Sequence, residues 1–337
     1  MGCCQVKNYE RANFEVNEEK PEPSSQVSLE EADHEEHERE VVPELEQSAL
    51  DAIESHIPSP DFALPTLKMP AVTNSFIKAK LAELGPYKYE NDAEDDDDAK
   101  LPYFEPFILL TDGAIHKGQW KFGVRHGKGL SIWPDGVQYE GFWKDDRPHG
   151  HGRKIFPNGD YYIGEFVEGV YHGKGRLKCN DWEYEGDWST GKPHGMGKKK
   201  IANGDSYKGN FCFGQRKGEG KQIWADGTMY VGSFDQDRMD GFGKCEWGDN
   251  RVYEGEWKDG KMCGKGTFKG KAGNIYTGEF LDDKKHGHGV MEWPDGRRYE
   301  GSWKLNKMNG KGIMREKDGQ IIEGEWEDGV IAQSNCK

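Results

Sequence analysis

Aromatic residues return along this chain at a nearly constant interval. Starting at Tyr139 they fall at Tyr162, Tyr184, Tyr207, Tyr230, Tyr253, Tyr276 and Tyr299, and every step is 23 residues except the 22 between Tyr162 and Tyr184. The frame extends back to His116 and forward to Ile322. Two residues after each of these ten positions stands a glycine, and four after each stands Trp or Phe: Trp120, Trp143, Phe166, Trp188, Phe211, Phe234, Trp257, Phe280, Trp303 and Trp326. Eleven and thirteen residues after the first nine comes a Gly-x-Gly, as in Gly127/Gly129, Gly195/Gly197 and Gly310/Gly312. Five positions held in register over nine units mark a repeat architecture.

Tyr, Gly and Trp/Phe at i, i+2 and i+4 share one face of a strand, because successive side chains alternate sides. Asp-Gly or Asn-Gly follows at Asp135-Gly136, Asn158-Gly159, Asn203-Gly204, Asp226-Gly227, Asp295-Gly296 and Asp318-Gly319, the strongest short hairpin signal. A second strand precedes each turn and is expected to begin at the Gly-x-Gly, whose missing side chains leave room for a neighbouring ring on the backbone. The 22-residue unit has lost one residue at Cys179-Asn180-Asp181, so a different turn is expected there. Hairpins joined edge to edge give an all-β fold, an elongated single-sheet array of antiparallel β-hairpin repeats that twists as it grows. At about 4.8 Å per strand, nine repeats span roughly 85 Å. The rings at Trp120, Tyr139, Trp143, Tyr162, Tyr184, Trp188, Tyr207, Tyr230, Tyr253, Trp257, Tyr276, Tyr299, Trp303 and Trp326 are the expected core stripe. An aromatic stripe left exposed on the sheet is also the expected protein-docking surface.

The pattern divides the chain into an acidic tail (1–65), a short helix with an acidic linker (66–105), the array (106–330) and a C-terminal tail (331–337). Residues 1–65 are rich in Glu, Ser and Pro, which favours disorder. Local helix is readable from Ser28 with Glu31 as a capping box, and from Pro43 with Leu45, Ala49, Ile53 and Ile57 on one side. A better helix runs from Asn74 to Leu84, with Phe76, Ile77, Leu81 and Leu84 forming an apolar side and Gly85-Pro86 as its stop. Its expected role is to cover an exposed end of the sheet. Glu94 to Asp98 reads as solvated linker, and Phe107 to Leu110 with Asp112-Gly113 as the opening strand and turn.

Charge follows the same division. The net charge is -15; residues 1–105 carry 26 acids and 9 bases, giving -17, and the remaining 35 acids and 37 bases give +2. A nearly neutral array lacks the concentrated basic face that nucleic acid requires. Seven cysteines, Cys3 and Cys4 adjacent and the others scattered, form no disulfide framework and fit a reducing cytosol. No apolar run approaches the roughly 20 residues of a membrane-spanning helix.

Tyr139-Glu140-Gly141-Phe142-Trp143, followed by His149-Gly150-His151-Gly152, resembles the MORN motif (membrane occupation and recognition nexus). The resemblance covers residues from about 107 to 330. It implies an extended hairpin sheet used as an adaptor or scaffold, as in junctophilins, plant phosphatidylinositol phosphate kinases and ciliary radial-spoke proteins. Departures are His116 and Ile322 at the first aromatic position, and Lys217, Asp240, Cys263 and Asn309 where the motif prefers His. The first residues, Met1-Gly2-Cys3-Cys4, resemble proteins that receive myristate on Gly2 and palmitate on an adjacent cysteine, although Val6 stands where Ser or Thr is favoured. One acyl chain anchors only marginally, and the acids after Lys7 and Arg11 leave Cys3 and Cys4 as the second anchor.

Other chemistry reads weakly. His126, His149, His172, His194 and His286 precede Gly-x-Gly at equivalent positions, but about 9.6 Å per repeat is too far for shared ligation of one metal ion. Gly264-Lys265-Gly266-Thr267 is no phosphate loop, and Glu140, Glu185, Glu254, Glu300 and Glu323 recur with the period as a solvated face rather than as an acid/base pair. No cofactor, metal or catalytic group is implied, and the chain reads as a non-catalytic scaffold. The expected setting is the cytoplasmic face of a membrane, with proteins, including a second copy of the chain as a homodimer, as partners of the array. The alternative is an architectural part of a cilium or cytoskeletal assembly. A third reading has Lys198-Lys199-Lys200 and Lys284-Lys285 meeting phospholipid headgroups.

Overall fold

The computed structural model describes residues 75–89 and 100–335. Gly2, Cys3 and Cys4, the tail 1–65 with its two helix candidates, and the run Glu94 to Asp98 lie outside the described residues. Within them, 21 strands form one open antiparallel sheet in which each strand pairs with its neighbours in sequence. Strand β1 (Tyr103–Leu109) leads into ten hairpins, from β2 (Ile115–Lys121) with β3 (Val124–Ile132) to β20 (Ile321–Glu327) with β21 (Val330–Asn335). The sheet therefore runs on into residues expected to be tail, and it opens at Tyr103, four residues before the expected Phe107. Edge strand β1 carries Pro106 between the register breaks at Phe104 and Ile108; a proline without an N–H blunts an edge.

One hairpin shows the unit. In β4 (Gln138–Lys144) and β5 (Arg147–Ile155), Gly141 lies directly opposite Gly152, and the register shifts between Gly141 and Trp143. β5 starts at Arg147, so Gly-x-Gly lies inside the nine-residue strand rather than at its start. The tight turn is also not where the Asp-Gly signal put it. It is Asp145-Asp146, with φ of 49° and 65°, the type I′ geometry whose twist matches the flanking strands.

The Asx-Gly pairs form a wider turn at the other end of the strands. Between β5 and β6 (Tyr161–Val167), Phe156 N–H donates to Asp160 O, Gly159 N–H donates to Phe156 O, and Gly159 takes φ of 88°. Asn158 Oδ1 accepts from Asp160 N–H at 3.0 Å, as Asp135 Oδ1 accepts from Val137 N–H. That local side-chain bond favours a turn in which only the glycine is left-handed. The short unit does turn differently: Cys179 N–H donates to Trp182 O across Asn180-Asp181, neither of which has positive φ.

Helix α1 (Ser75–Leu84) forms as expected, with Ile77, Leu81 and Leu84 at i, i+4 and i+7 as its packing stripe. It does not cover an end of the sheet. Ile77 is buried against Ile155 and Tyr161, with Ile163 alongside, so the helix lies on the face of β5 and β6. Phe76, one position off the stripe, is exposed.

Candidate functional site

The repeated tyrosines are the centre of each unit. Tyr139, Tyr162, Tyr184, Tyr230, Tyr253, Tyr276 and Tyr299 are 0% exposed, and Tyr207 is 3% exposed. Each ring covers the glycine pair: a Cβ at Gly152 would meet the Tyr139 ring and hydroxyl at 2.4 to 2.6 Å. Each hydroxyl donates to the carbonyl three residues on, from Tyr139 to Phe142 O (2.7 Å) to Tyr299 to Ser302 O (3.1 Å). The register shift explains the acceptor, because a bulge withdraws one residue from the ladder and the phenol satisfies its carbonyl.

The facing N–H is satisfied from the same bulged residue. Glu165, Asp187, Glu256 and Glu279 accept from the backbone N–H of Lys174, Met196, Lys265 and His288, the central residues of their Gly-x-Gly motifs, at 2.7 to 3.1 Å. Gln119 does the same for Lys128. These carboxylates follow the repeat period without being solvated ornament.

Between units the rings form one column. Tyr139 meets Trp143 and Phe166 edge to face at 5.0 Å each, Tyr162 meets Phe166 and Trp188, and the alternation continues to Tyr299 with Trp326 at 5.3 Å. Interplanar angles near 90° suit the ring quadrupoles. Trp143, Trp188, Trp257 and Trp303 add a donation from Nε1 to the carbonyl of Gly129, Gly175, Gly243 and Gly289 in the preceding unit. Sequence reasoning missed the position nine residues after each tyrosine, whose side chain covers the column: Arg125 over Trp143 at 4.3 Å, Tyr171 stacked on Tyr162 at 3.8 Å, Lys285 over Trp303 at 5.4 Å, and Met239, Met262 and Met308 packed against it. Its signal is a shared long or flat shape, not a shared residue.

The expected docking stripe is therefore core. Of the rings named from the sequence, only Trp120 is half-buried; the others are buried. Burial favours the uncharged form of the ionisable groups here: it raises the tyrosines, with Tyr207 and Tyr299 at about 12, it pushes the Cys179 thiol up to about 12 with help from Asp160, and it lowers Lys154, Lys199 and Lys285. His116 replaces tyrosine at the head of the column, is 0% exposed, and places Nδ1 2.8 Å from Ser131 Oγ. Cys179, Cys212, Cys245 and Cys263 take part in no disulfide. Among the described residues no group of three metal-ligating side chains converges, and no helix is long and apolar enough to cross a membrane.

What the sheet offers to solvent is its opposite face. Over the first repeats it is occupied by α1 and by residues 85–89. Arg153 donates to Gly85 O and to Glu140 Oε2, both at 2.8 Å, and the Tyr87 hydroxyl lies 2.7 Å from His151 Nδ1. Tyr89 meets Phe142 edge to face at 5.6 Å, with Lys128 Nζ 5.5 Å from its ring centre. Glu140 is thereby removed from the solvated row, whereas Glu185, Glu254 and Glu323 remain exposed. Beyond this strap the face displays Met196, Ile223, Val231, Phe242, Ile313 and Ile321, which are 37% to 59% exposed. The lysine clusters divide between faces: Lys199 lies over the Trp182 ring and Lys285 over Trp303. Lys198 on the opposite face stands across from Lys208, which stands across from Lys221.

The model of the MORN repeat matches nine consecutive segments, 116–138, 139–161, 162–183, 184–206, 207–229, 230–250, 253–275, 276–297 and 299–320. No curated protein matches the chain. Among solved structures it is similar to the TCP10 domain of Danio rerio CPAP in complex with a STIL peptide, at 14% identity over 68% of this chain and 98% of that one, with a TM-score of 0.36. It is also similar to the SAS-4 TCP domain of Drosophila melanogaster in complex with a proline-rich motif of Ana2, at 13% identity over 72% and 96%, with a TM-score of 0.26. Likeness at this level bears on neither partner nor activity. The matched segments begin at the head residue of each unit, His116 in the first and a tyrosine in the other eight, and together they cover more than half of the sequence: the chain belongs to the MORN repeat family.

Proposed function

We propose that this protein is a non-catalytic scaffold, tethered to the cytoplasmic face of a membrane by acylation of Gly2 with Cys3 and Cys4, and that its array binds proteins. The observation carrying the binding role is the division of labour between the faces. The aromatic face is closed by its own rings, while the opposite face presents Met196, Ile223, Val231 and Phe242 among charged residues. Ile223, Val231 and Phe242 stand on three consecutive strands of this face, and exposed apolar side chains gathered in one region mark an interaction site. The protein-binding surface is thus the reverse of the one the aromatic stripe suggested.

Two measurements test the parts separately. Cell fractionation with myristate and palmitate labelling, on wild type, Gly2→Ala and Cys3→Ser/Cys4→Ser, tests the tether. Label and membrane association should vanish together; an unlabelled, detergent-resistant wild type would favour the architectural ciliary or cytoskeletal role instead. Proximity labelling of Met196→Glu/Val231→Glu tests the face, with specific neighbours lost and thermal stability unchanged; an unchanged neighbour set sinks it. A second reading rests on the row Lys198, Lys208 and Lys221, where like charges sit opposite one another, an arrangement that an anion relieves. Salt-sensitive binding of the full chain to phosphatidylserine vesicles, lost in Lys198→Glu/Lys208→Glu, would support direct contact with headgroups.

A further inference from the structure

The strap over the first repeats shows what this face holds. Its two tyrosines rest on the central residues of consecutive Gly-x-Gly motifs, Tyr89 on Lys128 and Tyr87 on His151, and Lys174 occupies the next centre. The same order recurs at Lys265, His288 and Lys311, 137 residues further on. Among the described residues no strap crosses these side chains, and Lys265 and His288 line an open groove of about 900 Å³ with Phe242, Val252, Thr267 and Thr277. The groove lies on β13 (Arg238–Glu246) to β17 (Lys284–Glu292) and continues the face that carries the strap.

From this we infer that the groove over β13 to β17 is a second seat for an extended segment carrying two tyrosines at i and i+2, supplied by a partner protein, with one phenol on the His288 ring and the other ring beneath Lys265. The inference rests on the reading of this face as the binding surface and names what it binds.

Differences between the two seats refine the occupant. Ile155, Tyr161 and Ile163, which receive α1, correspond in register to Glu292, Arg298 and Glu300. An apolar helix has no bed there. Arg153, which holds the Gly85 carbonyl, corresponds to Val290, and Phe142 corresponds to Glu279, whose carboxylate is committed to the His288 N–H. The second seat thus keeps the two tyrosine contacts and drops the helix. Phe242, 59% exposed two repeats before His288, gives the segment an apolar contact further along the groove. His288 is reachable: its side chain is 63% exposed, with Glu300 Oε1 4.0 Å from Nε2.

The probe is a fluorescein-labelled synthetic peptide with the sequence of residues 84–89, titrated with the full chain and followed by anisotropy. Saturable binding at one site per chain is expected. Lys265→Ala/His288→Ala should weaken it about tenfold or more, the loss of one good hydrogen bond with its ring contact. His151→Ala, which alters only the occupied seat, should leave it within about twofold, and a probe with phenylalanine in place of the first tyrosine should bind about threefold or more weakly than the unaltered probe, through loss of the phenol bond alone. Both substituted side chains are exposed, so unchanged circular dichroism and melting verify that the variants fold. Absence of saturable binding, binding that survives the double substitution, or binding lost in His151→Ala would each overturn the second seat. None of these outcomes touches the scaffold reading, which stands or falls on Met196→Glu/Val231→Glu.

Discussion

At the scale of single residues, each repeated side chain answers a demand made by a neighbour. The phenol of Tyr230 serves the Ser233 carbonyl at 3.0 Å. Tyr230→Phe should therefore leave a buried acceptor unpaired and cost about 1 to 3 kcal/mol, read from the midpoint of denaturant unfolding at constant slope. His116 makes a pH-dependent demand. Burial, helped by Arg125, holds its pKa at about 3 against an ordinary 6.5. Between those values the unfolded chain binds the proton and the folded one does not, so stability falls as pH is lowered from about 6.5 towards 3. The loss between pH 7 and pH 5 is about 2 kcal/mol. His116→Tyr, restoring the usual head of a repeat, should flatten that part of the profile in thermal melts at the two pH values. The tyrosines, glycines and Trp/Phe were legible in the sequence because one chemistry recurs at one spacing. The covering position was not, since Arg125, Pro148, Tyr171 and Met239 have only their coverage of the column in common.

Elements show where local signals are ambiguous. Asp-Gly serves a two-residue turn and a longer one equally well in sequence, and the choice between them depends on how the whole hairpin twists. The tight turns instead use pairs as unlike as Leu305-Asn306 and Asp282-Asp283, which no residue rule would single out. Helix α1 was readable from its apolar spacing; its seat was not, because Ile155 and Tyr161 lie more than 70 residues away in sequence. Two glycines of one unit separate the reasons for glycine. Gly266 has room for nothing, since a Cβ would lie 2.5 Å from the Tyr253 hydroxyl, whereas Gly260 has φ of 81° and open space around it. Gly266→Ala should destabilise by about 3 kcal/mol through forced displacement of the ring; Gly260→Ala by only about 1 kcal/mol, the strain of a left-handed alanine. Paired equilibrium unfolding curves of the two variants distinguish crowding from conformation.

At the scale of the molecule, each described strand of the sheet pairs with its neighbours in sequence, so the sheet behaves as a one-dimensional array. Excising residues 230–252, one full period, brings β11 (Gln215–Ile223) into sequence with β14 (Val252–Lys258) in the same frame. The shortened chain should fold, with the denaturant slope reduced by roughly a tenth in proportion to the surface removed; an unfolded product would mean that specific partners, rather than register, hold the units together. The alternation of faces has one more consequence. Core letters and surface letters interleave along the same strand, and the packing constrains only the former. Between two obligatory glycines, Glu219, Phe242, Lys265 and His288 stand in a fixed frame with neither charge nor size prescribed by the column. Such a frame works as ruled paper: what is written on one line, about 10 Å from the next, can be rewritten without disturbing the sheet that carries it.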